Sequence, residues 1–268
     1  MGWNEKIVQA GIEIFKKPTR QDIKVLRVGV YGLTNSGKTH FALTAPEPVF
    51  VIDTELGVRP VATREGSPFL AKENGGTAER DKDIRIAEVL VKNEEGEVDL
   101  IKSLRATEEA IEIVCKYASE NQDQRGTIVL DTASELWGWY GLWLESEGAT
   151  RFSKSGEMLR VEWGKVNRPY TQQMYRMMLS GWNVVVTGKA REIYTRSGEP
   201  TGMYTGRWQK DTEHWLDVVL EARHLGTHRE FRTVKNRLKD SVEAFKDPTW
   251  EDIWMSTVGR PWGGKSNE

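Results

Sequence analysis

Short apolar runs recur along this chain at intervals long enough to hold a helix between them. Val25, Leu26, Val28 and Val30 fall within Lys24 to Tyr31, Val49-Phe50-Val51-Ile52 are consecutive, and Ile128-Val129-Leu130 and Val184-Val185-Val186 follow. Such runs, bounded by polar residues, predict strands buried on both faces, as in a parallel sheet covered by helices. Helical spacing appears between them. Thr39 to Thr44 begins one helix, Ile111, Val114, Cys115 and Ala118 mark a second that Thr107 is placed to cap, and Val161 to Ser180 is mostly a third. Val218 to His224 and Glu230 to Asn236 are expected to pair across the Gly226-Thr227 turn. Strands alternating with helices over this length predict an α/β fold, a mostly parallel sheet with helices on both faces.

Three segments break the pattern. Trp3 to Phe15 carries Ile7, Val8, Ile12 and Phe15 on one helical face before Lys16-Lys17-Pro18-Thr19, which predicts an N-terminal helix and linker over 1–20, a candidate oligomerisation segment. Residues 21–258 form the expected core. Within it, Gly57 to Leu104 is polar and Gly-rich and reads as an insertion with a hairpin, Ile84 to Val91 leading into the turn Asn93-Glu94-Glu95-Gly96. The tail, 259–268, is Gly-rich and polar and is expected to be flexible.

The first buried strand runs into Gly32-Leu33-Thr34-Asn35-Ser36-Gly37-Lys38-Thr39. A loop that wraps a triphosphate must turn sharply while aiming backbone N–H groups inward, which Gly32 and Gly37 permit. Lys38 then places a charge on the β- and γ-phosphates, Thr39 offers a hydroxyl to Mg²⁺, and the helix opening through His40 turns its positive end toward the phosphates. Strand before and helix after make this a phosphate-binding loop for a nucleoside triphosphate. Such a site needs an acid near the metal. Thr127-Ile128-Val129-Leu130-Asp131 runs four residues into one carboxylate, and its distance along the chain from the loop favours a metal role for Asp131 over a helix cap.

The residue after Asp131 is Thr132, so the Asp-Glu pair whose Glu activates water in many P-loop ATPases is missing. Glu55 can replace it: it follows Val51-Ile52-Asp53-Thr54, just past the end of a buried strand, on the edge where open α/β sheets bind ligands. An exposed loop acid is the alternative. Neither an Asn-Lys-x-Asp base-recognition motif nor a spaced Asp-x-x-Gly is present, which weakens a GTPase reading.

Composition narrows the class further. The chain has 268 residues, a net charge of -2 and a single cysteine, so intrachain disulfides are impossible and a reducing, cytoplasmic setting is expected. No apolar run reaches a membrane-spanning length, so no membrane partner is expected. Asn93 to Glu120 is acidic, whereas Gly188 to Lys210 and Arg223 to Asp240 are basic, a distribution that can present one positive face to a polyanion. The 11 Trp suit either exposed stacking surface or a filled core.

These motifs resemble a known family. Phe50-Val51-Ile52-Asp53-Thr54-Glu55 resembles the RecA-type segment that carries the catalytic glutamate, Val129-Leu130-Asp131-Thr132 its Walker B strand, and Val234-Lys235-Asn236-Arg237 the late segment with two basic residues around an Asn. Order and spacing agree over Val28 to Leu238. The resemblance implies a RecA-like core that hydrolyses ATP with Mg²⁺ in a head-to-tail homo-oligomer, filament or ring, with Lys235 and Arg237 reaching the neighbour's triphosphate. The chain is shorter than RecA and more similar to compact, core-only phage ATPases, including the Sak-type single-strand annealing proteins. Trp163-Gly164-Lys165-Val166-Asn167-Arg168 and Gly181-Trp182-Asn183-Val184-Val185-Val186 are similar to the same group.

RecA-like proteins bind DNA through two loops, here Trp137 through Lys165 and Gly188 through Lys210. The first contains Arg151, Phe152, Lys154 and Arg160; the second contains Lys189, Arg191, Tyr194, Arg196, Tyr204, Arg207, Trp208 and Lys210. Cations neutralise phosphates and aromatic faces stack on bases without regard to sequence. The expected function is an ATP-hydrolysing recombination protein that binds single-stranded DNA and promotes annealing or strand exchange, with a single-stranded DNA-binding protein as a further candidate partner. A ring helicase or DNA-packaging motor, and a nucleotide-switched interaction protein, are the alternatives.

Overall fold

The computed structural model describes residues 22–148, 151–152, 158–159 and 161–263. The expected N-terminal helix, Lys154, Arg160 and residues 264–268 lie outside these.

The apolar runs become the centre of one sheet. Strands β1 (Arg27–Gly32), β2 (Val49–Asp53), β3 (Ile84–Glu88), β4 (Thr127–Asp131), β5 (Asn183–Tyr194) and β7 (Val218–His224) lie parallel, in the order β3-β2-β4-β5-β1-β7. Two antiparallel strands, β8 (Arg229–Asn236) and β9 (Ala244–Lys246), extend the β7 side, while β6 (Pro200–Gly206) pairs antiparallel with the outer half of β5. Side chains alternate between two cores. On β4 and β5, Ile128, Leu130, Val184 and Val186 face helices α3 (Leu100–Glu120), α4 (Ala133–Ser146) and α5 (Trp163–Met178). Val129 and Val185 face the opposite core with α1 (Lys38–Leu43), α2 (Val58–Thr63) and α7 (Trp250–Val258). Consecutive apolar residues are therefore needed in the central strands, because both faces are covered. A short helix, α6 (Thr212–Trp215), precedes β7. Among the described residues no helix is long and apolar enough to cross a membrane.

Several expectations change. Ile84–Glu88 is not a hairpin arm but a parallel edge strand on β2, because the crossover through α2 returns the chain in the same direction. The turn at Asn93 to Gly96 closes only the isolated bridge Lys92 to Val98. Residues 57–104 supply the edge strand β3, helix α2 and the start of α3. Helix α3 starts seven residues before Thr107. Asp99 caps it by accepting the Lys102 amide at 2.9 Å, while the Thr107 hydroxyl is buried inside the helix and donates to the Ser103 carbonyl. The segment Trp137 to Ser146, expected as a loop, belongs to α4. Gly188 to Lys210, expected as a loop, is mostly a β-hairpin: β5 runs on past the sheet and returns as β6. Trp262 stacks edge-on against Trp250 and Trp254 at 5.0 and 4.7 Å, so the chain just after α7 is packed on it. All described tryptophans are buried or half-buried, which decides for the filled core.

Candidate functional site

The parallel strands end together. Gly32 pairs in register with Lys189 and Ala222, and Asp53 pairs with Asp131, so the C-terminal ends of β1, β2, β4, β5 and β7 share one edge. There the loop Leu33 to Gly37 leaves β1 and turns into α1. Gly37 sits at φ 91°, a left-handed conformation that other residues adopt only with strain, and starts the helix. A Cβ on Gly32 would stand 2.3 Å from the Ala222 carbonyl oxygen, so β1 can approach β7 here only as glycine. The loop opens on a pocket of about 800 Å³ lined by Gly32, Leu33, Thr34, Asn35, Gly37, Lys38, Thr39 and His40. Ser36 is buried beneath it.

Lys38 is held by its own loop: Nζ donates to the carbonyls of Gly32 and Leu33 at 3.0 and 2.9 Å and to Ser36 Oγ at 3.4 Å. Burial lowers its pKa, opposed by the charges of Asp131 and Glu55. The Thr39 hydroxyl donates to Asp131 Oδ2 at 2.7 Å, and the other Asp131 oxygen accepts the Thr187 hydroxyl from β5. Burial raises the pKa of Asp131, and these two hydrogen bonds work against that rise. The Thr39–Asp131 pairing expected from sequence is therefore present. A hydroxyl and a carboxylate are hard oxygen ligands of the kind Mg²⁺ takes. Among the described residues no group of three or more acidic, His or Cys side chains could hold a metal by itself.

Glu55 lines the same pocket. Its position is built by Asp53, which is fully buried and whose carboxylate accepts the amides of Glu55 at 3.0 Å, Gly57 at 3.3 Å and Val58 at 2.8 Å. Thr54 stitches β2 to β4: its amide donates to the Asp131 carbonyl at 2.8 Å, and its hydroxyl accepts the Thr132 amide at 2.8 Å. Glu55 and Asp131 are thus presented side by side at the sheet edge.

Lys189 takes a different place from the one expected. It lines this pocket, with Nζ 2.7 Å from Glu55 and also bonded to Glu135 of α4. Burial would lower its pKa, but the bonds to Glu135 and Glu55 outweigh that and raise it. Arg207 lines the same pocket. Trp208 is 4% exposed, its ring against Gly188, Gly206 and Tyr31, and a ring packed on both sides has no face for a base. Arg151 pairs at 2.8 Å with Glu162. Arg191, Arg196 and Lys210 are exposed, the first two on or beside the hairpin.

Lys235 and Arg237 lie elsewhere. In β8, Asn236 is paired with Val218, which is itself paired with Val28, so this end of β8 is at the sheet edge opposite the loop. Lys235 Nζ donates to the carbonyls of Glu213 and Leu216, and Arg237 to the carbonyl of His214, with Asp217 at 3.7 Å. Neither reaches this chain's own pocket.

Sequence reasoning missed Thr187, Asp53 as the support of Glu55, and Arg229. Arg229 opens β8 at the loop edge and lines the pocket; a Cβ on Gly37 would stand 2.3 Å from its Cδ. His40 faces Phe69 at 5.1 Å, and its Nδ1 is buried without a partner among the described residues. Burial, then the nearby Arg229 and Arg64, hold its pKa down at about 4. The apolar run around Thr187 was the one available signal, a single hydroxyl at its end.

A family model described as AAA domain matches residues 24–244. The chain is similar to the crystal structure of the RadB recombinase, with a TM-score of 0.47 and 14% identity, covering 82% of this chain and 86% of that one. No curated protein matches the sequence.

Proposed function

The chain belongs to the family of AAA domains, and on that premise we propose that it is a magnesium-dependent ATPase of RecA-like type that binds single-stranded DNA and promotes its annealing or strand exchange. The observation that carries the nucleotide chemistry is the meeting of Lys38, Thr39, Asp131 and Glu55 in one pocket, with Thr39 bonded to Asp131 at 2.7 Å.

Each side chain then has a task. The loop amides and Lys38 take the negative charge of the phosphates. Thr39 and Asp131 would hold Mg²⁺ against the phosphate oxygens, where the ion neutralises charge on the transferred group. Glu55 aligns the attacking water and accepts its proton as the oxygen bonds to the terminal phosphorus and the bridge to ADP breaks. Thr187 holds the second oxygen of Asp131, and Asp53 keeps Glu55 at the mouth.

The DNA part of the reading rests on the β5–β6 hairpin. It carries exposed Arg191 and an exposed Tyr194 ring, with Arg196 in its turn. Cations beside an aromatic face suit a single strand whose bases are unpaired. The head-to-tail assembly that the RecA resemblance implies would line such hairpins along a strand.

ATP turnover measured with and without Mg²⁺ and single-stranded DNA, alongside electron microscopy, tests this. Expected are Mg²⁺-dependent hydrolysis, stimulation by DNA, and filaments or rings. Lys38→Ala should abolish hydrolysis; wild-type turnover in that variant would remove the ATPase assignment. Hydrolysis indifferent to DNA, in a protein that does not bind it, would leave a nucleotide-switched interaction protein instead.

A further inference from the structure

The cations around the pocket outnumber what its own acids can use. Glu55 is engaged by Lys189, and both oxygens of Asp131 accept hydroxyls. Arg207 and Arg229 also line the pocket, and neither forms an ion pair among the described residues. The Arg229 stem lies directly on Gly37, and its Nε is buried without a hydrogen-bond partner among the described residues. A buried guanidinium nitrogen left unsatisfied is costly unless a ligand completes it.

The two arginines are placed differently. The Arg207 amide donates to the Lys189 carbonyl at 2.7 Å, and Lys189 holds Glu55. The backbone of Arg207 is thus tied beside Lys189, and its exposed side chain lines the same pocket as Glu55, the carboxylate beside which a terminal phosphate open to attack by water would lie. Arg229 comes from the other side, over the loop glycine that precedes Lys38. Meanwhile Lys235 and Arg237 stand at the opposite sheet edge with their donors committed to backbone carbonyls. For either to serve a neighbour, those bonds must be given up.

We propose that this chain supplies its phosphate-neutralising arginines to its own pocket, Arg207 at the terminal phosphate and Arg229 over Gly37. The inference rests on the nucleotide reading of the pocket. A guanidinium stabilises charge on a transferring phosphoryl group only if it is in place during transfer, and one fixed by the same sheet edge as the loop is in place without an interface. Each protomer is then a complete ATPase, and assembly serves some other purpose than finishing the site.

Purified Arg207→Ala and Arg229→Ala, with Arg229→Lys as a folding control, are compared with wild type by titration with fluorescent ATP and ADP analogues and by turnover over a wide range of protein concentration. Arg207→Ala is expected to bind the ADP analogue like wild type, to lose about tenfold in affinity for the ATP analogue, and to lose about 10³-fold or more in turnover, the range in which such arginines act. Arg229→Ala is expected to lose affinity for both analogues by about tenfold, with Arg229→Lys in between. Wild-type turnover per protomer should not change on dilution. In mixtures of Arg207→Ala with Lys38→Ala, where the second offers an intact arginine to the first, no activity should return. Recovery in the mixture, turnover that falls on dilution, or a wild-type Arg207→Ala would overturn the proposal. If wild type binds and hydrolyses no triphosphate, the nucleotide reading itself fails instead.

Discussion

The carboxylate of Asp53 accepts the amide hydrogen of Glu55 at 3.0 Å, two residues further on, and so turns a buried strand end into the platform for Glu55, which lines the pocket together with Asp131. The same carboxylate takes the amides of Gly57 and Val58, the start of α2. Asp53→Ala leaves those three amides without their acceptor in a buried place. We expect a loss of about 3 kcal/mol in urea unfolding and a fall in kcat larger than any change in ATP affinity. Glu55→Gln should keep the stability and the affinity and lose only turnover. If Glu135→Gln rather than Glu55→Gln gave that result, the acid held on the other side of Lys189 would be the base.

Thr187 holds Asp131 from β5, the strand between the loop strand and the Asp131 strand. Thr187→Val keeps the volume and removes the hydroxyl. The carboxylate then loses one of the two hydrogen bonds that oppose its burial, and its orientation toward Thr39 loosens. Partners of metal-holding groups typically account for 10–100-fold in metal affinity. The Mg²⁺ concentration for half-maximal turnover is expected to rise about tenfold, and the Tm to fall because a buried acceptor loses its donor; an unchanged Mg²⁺ titration would separate Asp131 from the metal.

His40 gives the fold a pH dependence of definite sign. Its pKa is 6.5 ordinarily and about 4 in the folded chain, because burial and then Arg229 and Arg64 disfavour the charged ring. Between those values the unfolded chain binds a proton that the folded chain refuses, so acidification favours unfolding. Stability should therefore rise with pH across roughly 4 to 6.5 and level off above. His40→Asn should flatten that part of the profile, read as the difference between the two proteins in urea unfolding at pH 4.5, 5.5 and 7. A parallel pair of profiles would show that His40 titrates normally.

The hairpin and the residue beneath it should separate cleanly. Arg191→Ala/Arg196→Ala removes two exposed cations and should weaken single-strand binding and reduce its salt slope by about 1 for each phosphate left without its cation, with stability unchanged. Trp208→Ala removes a ring packed against Gly188 and Gly206 and should cost about 3–5 kcal/mol of stability. If the arginine pair left affinity and salt slope untouched, DNA would have to bind elsewhere.

Much of this molecule can be read along the chain because the relevant physics is local. A central strand buried on both faces must be continuously apolar, so Val49 to Ile52, Ile128 to Leu130 and Val184 to Val186 announce themselves. A phosphate loop needs two glycines, a lysine and a hydroxyl at set spacing, and Gly32 to Thr39 is complete. Asp131 and Glu55 follow from the same logic, as acids at the ends of such strands.

What the linear pattern leaves open is which distant residues meet. Lys189, Arg207 and Trp208 share a basic, aromatic stretch, yet strand pairing sends the first two into the pocket and the third into the core. Arg229 and Lys235 lie six positions apart in one strand, and the antiparallel return of β8 puts them at opposite edges of the sheet. Thr187 touches Asp131 only because β5 lies beside β4. Composition and periodicity determine that an ATPase-type loop sits on a mostly parallel sheet. Strand order and direction determine which cations face the loop, since a charge acts over a few ångströms of space and not along a stretch of chain.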